Sequence, residues 1–228
     1  MDAAVTPLSS TDRTRLRRLR DQGRTDRAAL FAVLRAGFVC HLGVVVDDTP
    51  MVVPTVYGFD DSFLYFHGSV ASRSLAGGRT VCVTVTHVDG LVLARSVFEH
   101  GVNYRSAMVY GLPRALSGEA KLEGLRVLTE HAAPGQWDYA RRPSRKELAA
   151  TAIFALSLEE ASVKVAEGPP EDGDGPDASL GLWAGVVPLE VVRRPPVPDP
   201  ALPDGLPVPA HIAALFTQDA GRGRIPGG

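Results

Sequence analysis

Residue types that are suited to bind phosphate groups cluster at one point of the chain, where a strand-like pattern ends. The aromatic run 64–66 leads into His67 and Gly68, and Ser72 and Arg73 follow shortly after. A strand that passes into a helix N-terminus leaves backbone N–H groups unpaired, and a hydroxyl and a guanidinium add further donors. The junction is therefore predicted to bind a phosphate.

His67 is also the candidate acid–base group of this junction. Its imidazole titrates near neutral pH and can donate to a ligand oxygen; in the alternative interpretation it ends the strand and bonds to the backbone. The six histidines show no HExxH or other paired spacing, so the sequence predicts no dedicated metal site. A single axial histidine has no spacing signature, so haem binding stays an open alternative.

A second group of polar residues follows about thirty residues later, and its residue types do not indicate one particular ligand. It comprises His100, Asn103, Tyr104 and Arg105. The group either organises the end of a hairpin or contacts a ligand directly. His41 and His87, within or at the end of strand-like runs, are interpreted as structural.

The elements that must position these residues are mainly strands. A short helix is predicted after Thr25, which suits an N-cap, and Gly37 ends it. β-branched and aromatic runs then follow at 38–46, 51–59, 62–67, 80–88, 91–98 and 104–116. Asp89-Gly90, between two of these runs, is a type I′ turn signal. Antiparallel strands spaced this closely tend to close into a small barrel, because closure removes exposed edges.

The remainder of the chain adds a helix, two more strand runs and a tail. The helical pattern covers 118–131, and the strand runs cover 152–165, with a break near 159–160, and 183–189. Residues 168–180 are acidic and glycine-rich and are interpreted as a mobile loop. We expect a barrel domain at 25–192, between a basic arm at 1–24 and a Pro/Gly-rich tail at 193–228.

The basic arm carries six arginines and two aspartates between residues 12 and 24. Such a run is typical of a solvated arm. Two alternatives give the arginines a partner, either a cofactor phosphate or the acidic surface of a neighbouring subunit.

Composition excludes several classes of protein. The 228 residues are 45% hydrophobic and carry a net charge of −2, which is typical of a soluble globular protein and not of one that binds nucleic acid. No run approaches the ~18 apolar residues of a membrane span, and no signal-peptide pattern is present, so we expect a cytoplasmic protein without membrane contact. Cys40 and Cys82 are expected to be buried, reduced thiols.

Several separated blocks, in the same order, resemble the pyridoxamine 5′-phosphate oxidase-like proteins. These blocks are Tyr65-Phe66-His67-Gly68 with Ser72-Arg73, the runs 81–86 and 89–96, and His100 to Ser106 with Gly111. Residues 164–170 and 183–188 look like the flavin-nucleotide-binding branch of this family, which is related to nitroimidazole-resistance proteins. The resemblance covers residues 24–192.

The resemblance implies a mainly β fold with peripheral helices, in the form of a six-stranded antiparallel split β-barrel that binds FMN. It also implies a homodimer with the flavin held between subunits. Ser72 and Arg73 would hold the FMN phosphate. His67, the candidate catalytic group proposed above from its chemistry, would lie with Gly68 near the phosphate and ribityl end of the flavin. The implied cofactor-binding residues are Val53, Pro54, Thr55, His67, Gly68, Ser72, Arg73, Tyr104, Arg105 and Ser106.

The sequence also departs from the true pyridoxamine phosphate oxidases. Those enzymes carry a basic residue at each end of the strand that corresponds to 52–57 and another directly after the arginine. Here these positions hold Val52, Tyr57 and Ser74. Oxidation of vitamin B6 is therefore not expected.

The expected function is that of an FMN-dependent oxidoreductase acting on a small organic substrate, such as a nitroaromatic or a quinone. Two alternatives stay open. The chain is either a flavin-binding or carrier module without turnover, or a deazaflavin- or haem-binding protein built on the same barrel.

Overall fold

The computed structural model describes residues 7–68 and 78–220, which form one antiparallel sheet with helices around it. The strands are β1 (Gly23–Arg24), β2 (Val39–Val46), β3 (Thr49–Phe59), β4 (Phe63–His67), β5 (Val81–Leu93), β6 (Gly101–Gly111), β7 (Arg114–Ala115), β8 (Ile153–Ser157), β9 (Ala161–Ala166) and β10 (Gly185–Pro188). The helices are α1 (Arg27–Arg35), α2 (Gly118–Ala132), α3 (Gln136–Tyr139), α4 (Arg145–Ala150) and α5 (Ala210–Ala220). Short 3₁₀ turns lie at Arg20–Gln22, Val97–Glu99, Asp172–Asp174 and Pro176–Leu180.

The strands follow the order β1-β9-β6-β5-β2-β3-β4-β8-β7, and β10 pairs with β5 beside this path. The predicted mainly β, antiparallel split-barrel fold is confirmed. The described part of the sheet holds ten strands rather than six, because short segments such as β1, β7 and β10 extend its edges.

The main core lies on the inner face of the sheet, where alternate residues of each strand are buried. Cys40 and Leu42 of β2 share this cluster with Leu30 and Leu34 of α1. Tyr57 is fully buried, and its hydroxyl donates to the Leu34 carbonyl at 2.7 Å. Burial raises the pKa of the Cys40 thiol to about 12, so this cysteine stays protonated and unreactive.

Cys82 differs from the expectation of two buried thiols. It is half-buried and lies on the opposite face, because its neighbours Val81 and Val83 occupy the core positions of the alternating strand. Both cysteines are free.

Helix α2 covers the other face of the sheet, but only over β3, β4 and β8. Leu128 of α2 packs there with Tyr65 and Ile153 in a second cluster. Gly58 of β3 lies directly under this helix, and a Cβ at that position would lie 2.6 Å from the Val127 carbonyl oxygen. Close contact between helix and strand therefore requires a residue without a side chain at this point.

The Asp89-Gly90 turn prediction was wrong, since both residues lie within the continuous strand β5 at a β-bulge. Neither has a positive φ, whereas Asp47 and Asp48, between β2 and β3, have φ of 48° and 57° and form the two-residue turn. A Cβ at Gly90 would lie 2.9 Å from Val186 of β10, so the glycine permits close strand packing. The chain reverses later, around the 3₁₀ turn Val97–Glu99.

Helix α1 begins one residue later than the capping pattern indicated. Asp26 rather than Thr25 is the N-cap, and its carboxylate accepts from the Ala29 amide at 2.7 Å. The helix ends at Arg35, just before Gly37.

Candidate functional site

Side chains of β2, β3, β5 and β6 that point away from the core form a surface that we call the outer face. Its members are Val39, His41 and Val45; Val52, Pro54 and Val56; Cys82, Thr84, Thr86 and Val88; and Tyr104, Ser106 and Met108. Several are large, apolar and exposed, with Val52 at 65% and Val88 at 48%. A contiguous exposed apolar face is characteristic of a ligand-binding or protein-binding surface.

At one end of the outer face, only Pro54 of the predicted β3 residues points outward. Val53 and Thr55 lie on the core side of the strand, where they pair with Leu42 and Cys40. The Thr55 hydroxyl donates to the His67 carbonyl at 2.9 Å, and the Gly68 amide donates to the Ala152 carbonyl at 3.4 Å. These bonds fix the backbone where β4 ends. Pro54 lies beside His41 of β2 on the same face.

The predicted phosphate-binding pair lies outside the described residues. The described chain stops at Gly68 and resumes at Gly78, so Ser72 and Arg73 fall between. Their role stays a prediction, and the described structure contributes the fixed strand end that leads towards them.

The other end of the outer face holds Tyr104 and Ser106 of β6. Ser106 pairs with Thr86 on one side and with Lys164 on the other. The Lys164 ammonium lies 5.4 Å from the centroid of the Tyr104 ring, a cation–π contact. This end is therefore polar and positively charged.

Arg105, between these two residues, points away from the outer face and has another partner. Its guanidinium donates two hydrogen bonds to the Asp89 carboxylate, at 2.8 and 2.7 Å. These bonds raise the pKa of Arg105, although burial acts in the opposite direction. A flavin contact by Arg105 stays a prediction, and it would compete with this pair.

The two ends of the predicted site lie far apart within one chain. Extending the β3–β4 register by one residue places His67 beside Val56, which pairs with Val39. Extending the β2–β5 register places Val39 beside Thr86, which pairs with Ser106. His67 and Ser106 are thus four strand spacings apart in one row, or roughly 19 Å. A single chain does not bring the whole predicted set around one ligand.

Hydrogen bonding separates the histidines into two groups. The Nε2 atoms of His87 and His131 lie 3.0 and 2.7 Å from carbonyl oxygens, and His211 contacts the Gln136 side chain at 2.9 Å. The Nδ1 of His100 accepts from the Ala94 amide at 2.9 Å, so the proton of its neutral ring is on Nε2.

The two remaining imidazoles, of His41 and His67, make no hydrogen bond to the described part of the chain. Both are exposed. His41 lies on the outer face, and His67 lies at its edge, beside Val56. The sequence interpretation of His41 was structural, and its exposure on the outer face makes it a further candidate site residue. The signal was present, because buried Cys40 and Leu42 flank it and alternation places it on the opposite face.

Among residues 7–68 and 78–220, no group of three or more His, Cys, Asp or Glu side chains is placed to hold a metal ion. Within the same residues, no helix has the length and apolar character needed to cross a membrane.

The comparisons with known proteins agree with this geometry. A family model described as pyridoxamine 5′-phosphate oxidase matches residues 26–165. No curated protein matches the chain significantly.

Two solved structures resemble almost the whole chain. A flavocytochrome from Azotobacter vinelandii is 37% identical, with a TM-score of 0.85, and the match covers 92% of this chain and 99% of that one. An FAD and heme binding protein from Mycobacterium smegmatis is 36% identical, with a TM-score of 0.81 and coverage of 86% and 97%.

A third structure supports the fold alone. It is a putative 5-nitroimidazole antibiotic resistance protein from Bacteroides thetaiotaomicron VPI-5482, 19% identical with a TM-score of 0.53, and the match covers 63% of this chain and 86% of that one. The matched family model, the shared split barrel and the two nearly full-length relatives lead to one conclusion: this chain belongs to the pyridoxamine 5′-phosphate oxidase-like family.

Proposed function

We propose that this chain binds a flavin at the outer face and acts as a redox protein. The observation that carries the proposal is the identity of 36–37%, over nearly the whole chain, with a flavocytochrome and with an FAD and heme binding protein. The outer face suits the ligand, because exposed apolar side chains can pack against a planar ring system and the strand ends supply polar groups.

The names of both relatives favour haem as a second cofactor. The residues present fit such a group, since His41 and His67 carry the two imidazoles without a hydrogen-bond partner in the described structure. His41 has the apolar surroundings that a haem needs, whereas His67 lies where β4 ends. A bound flavin supplies hydride or electron transfer, and a bound haem supplies one-electron chemistry. The chain's own role is to orient these groups and to offer His67 as a proton donor.

A second copy of the chain would complete the flavin site. A two-fold axis parallel to β2, between two outer faces, places β4 of one protomer over β6 of its partner. His67 of one protomer then lies near the polar end of the partner's outer face, which carries Tyr104 and Ser106. The separation of the two ends within one chain supports this dimer, and so does the exposed apolar surface between them.

The substrate class proposed is a small organic electron acceptor, such as a nitroaromatic or a quinone. The competing proposal is a flavin-binding carrier without turnover. The flavin is either FMN, as the sequence suggests, or FAD, which the relative from Mycobacterium smegmatis binds. The experiment below compares the two.

Spectra of the purified protein, reconstituted separately with FMN, FAD and haem, test the proposal. We expect the paired absorption bands of a flavin, together with a Soret band once haem is bound. Bleaching of the flavin bands by NADH or NADPH, followed by recovery on adding a nitroaromatic or a quinone, would support an enzyme. Absence of flavin binding after reconstitution would contradict the proposed function.

A further inference from the structure

A cleft of about 260 Å³ lies between the N-terminal segment and β9, outside the flavin site described above. We call it the arginine cleft. Its lining combines three arginines, several hydroxyl groups and a few apolar side chains. The lining residues used below are Arg15, Arg20, Arg24, Ser162, Leu8 and Leu16.

The wall of the cleft is fastened to the body of the protein. The Leu8 amide donates to the Thr25 carbonyl at 2.7 Å, and the Thr11 hydroxyl donates to Glu160 at 2.7 Å. Arg13 adds two hydrogen bonds to the same carboxylate, at 3.0 and 2.6 Å. From residue 7 onwards, the basic segment is therefore a formed wall rather than a freely solvated arm.

The arginines that line the cleft are not all neutralised by carboxylates in the described structure. Arg24 is paired with Glu167 at 3.0 Å, and the carboxylate nearest to Arg15 is Asp12 at 3.8 Å, with both side chains largely exposed. The Arg20 guanidinium makes no hydrogen bond or ion pair with the described part of the chain. Guanidinium groups without carboxylate partners are suited to bind phosphate through paired hydrogen bonds.

The other lining residues complete a surface for a nucleotide. The Ser162 hydroxyl, on the outward side of β9, forms no hydrogen bond within the described residues and can donate to a phosphate oxygen. Leu8 and Leu16, both half-buried, provide an apolar wall against which a base or a ribose can pack. Charged donors, a hydroxyl and an apolar wall are the components of small-ligand sites.

The cleft also continues the polar end of the outer face. Gly23, which lines it, pairs with Lys164, and Lys164 pairs with Ser106. Two strand spacings, or roughly 10 Å, therefore separate Ser106 from the edge of the cleft. Lys164 lies between them and adds a further positive charge.

We infer that the arginine cleft binds the phosphate groups of an adenine nucleotide. Two sources have this chemistry, namely the adenylate part of FAD whose flavin lies on the outer face, and a separate nucleotide such as NADH. The first source rests on the proposed function, whereas the second does not require it.

The test uses the full chain and two double variants with equal loss of charge. Arg15→Ala/Arg20→Ala removes two arginines that line the cleft, and Arg17→Ala/Arg18→Ala removes two from the same block that do not line it. Isothermal titration with ADP is expected to show binding to the flavin-free wild type, weakened about tenfold or more by the first variant. The second variant should bind ADP like the wild type.

Repeating the ADP titration on protein loaded with FMN or with FAD distinguishes the two sources. If FAD blocks ADP binding and FMN does not, the cleft holds the adenylate part of FAD. If ADP binds to both loaded forms, the cleft takes a separate nucleotide.

Two results would overturn the inference: no ADP binding by the wild type, or equal effects of the two double variants. If the wild type binds ADP but no flavin, the proposed function fails and the cleft assignment stands.

Discussion

At the scale of single residues, the partners of a side chain decide what it can do. Arg105 lies in a strand beside two candidate flavin contacts, yet its guanidinium is held by Asp89 at the bulge of β5. His41 shows the opposite case, because a histidine in an apolar run proves to be exposed and without a hydrogen-bond partner in the described structure.

The Arg105–Asp89 pair should contribute modestly to stability. Both side chains are a little over one-third exposed, at 37% and 36%, so solvent screens their attraction. We expect a double-mutant cycle of Arg105→Ala and Asp89→Ala to give a coupling of about 0.5–1 kcal/mol in urea unfolding. Strict additivity would show that the pair does not hold the bulge.

His131 should make stability depend on pH. Burial lowers its pKa, although a hydrogen bond to the Gly37 carbonyl acts in the opposite direction, and its ring packs 5.0 Å from Tyr57. Because the folded state favours the neutral ring, this stabilisation is present above about pH 6.5 and is lost as the pH falls through the lowered value.

The melting temperature of the wild type should therefore fall between pH 7 and pH 5 by more than that of His131→Gln. Glutamine keeps a donor for Gly37 but does not titrate. An equal fall in both proteins would exclude His131 as the cause.

Arg73 is the first residue to test for flavin binding. The resemblance implies basic residues at the positions of Val52, Tyr57 and Ser74, and all three are uncharged here. Arg73 would therefore neutralise the phosphate with little help from other cations. Arg73→Ala should weaken FMN binding by about 2 kcal/mol or more in a fluorescence titration. Arg79→Ala is the control, because Arg79 is exposed and makes only a long contact, 3.4 Å, to Asp48. Unchanged affinity in the Arg73 variant would remove the phosphate assignment.

At the scale of elements, close packing of α2 on the sheet depends on Gly58. A Cβ there would lie 2.6 Å from one backbone atom of the helix and 2.8 Å from another, neither of which can rotate away. Gly58→Ala should lower the free energy of unfolding by about 2 kcal/mol, measured in urea. Gly173→Ala is the matched control, because a Cβ at Gly173 would meet nothing within 4 Å. Equal stability of the two variants would show that the helix shifts without cost.

The acidic segment 168–180 has more structure than its composition suggests. Its mobility stays a prediction, but Asp172 is buried and accepts hydrogen bonds from the backbone amides of Arg95 and Ser96. Burial acts to raise the pKa of Asp172, and these bonds, with the Arg95 guanidinium at 2.9 Å, outweigh it and hold the pKa below its ordinary value. The segment is therefore tied to the end of β5.

At the scale of the whole molecule, the outer face is the surface through which two copies are proposed to associate. Val52 is central to it and 65% exposed. Val52→Asp should give a monomer in light scattering and weaken flavin binding, because a carboxylate is costly in a dry interface. The control is Val191→Asp, since Val191 is 97% exposed and lies after the last strand, β10. A dimer that persists in the Val52 variant would place the interface elsewhere.

The family and the strand content could be predicted from the sequence, because the alternation of apolar residues and the order of the blocks are visible along the chain. The sequence also indicated Thr55, His67 and Gly68 as candidates, and the structure joins Thr55 to His67 by a hydrogen bond. Their contact with a flavin stays a prediction. The bulge at Asp89-Gly90 could not be predicted in this way. The Arg105 side chain that binds Asp89 and the strand β10 that packs on Gly90 come from distant parts of the chain.

The fold also separates Tyr104 and Ser106 from His67 by four strand spacings. It makes the basic segment the wall of a cleft. Strand order and long-range contacts set both arrangements, and neither leaves a periodic signal in the sequence.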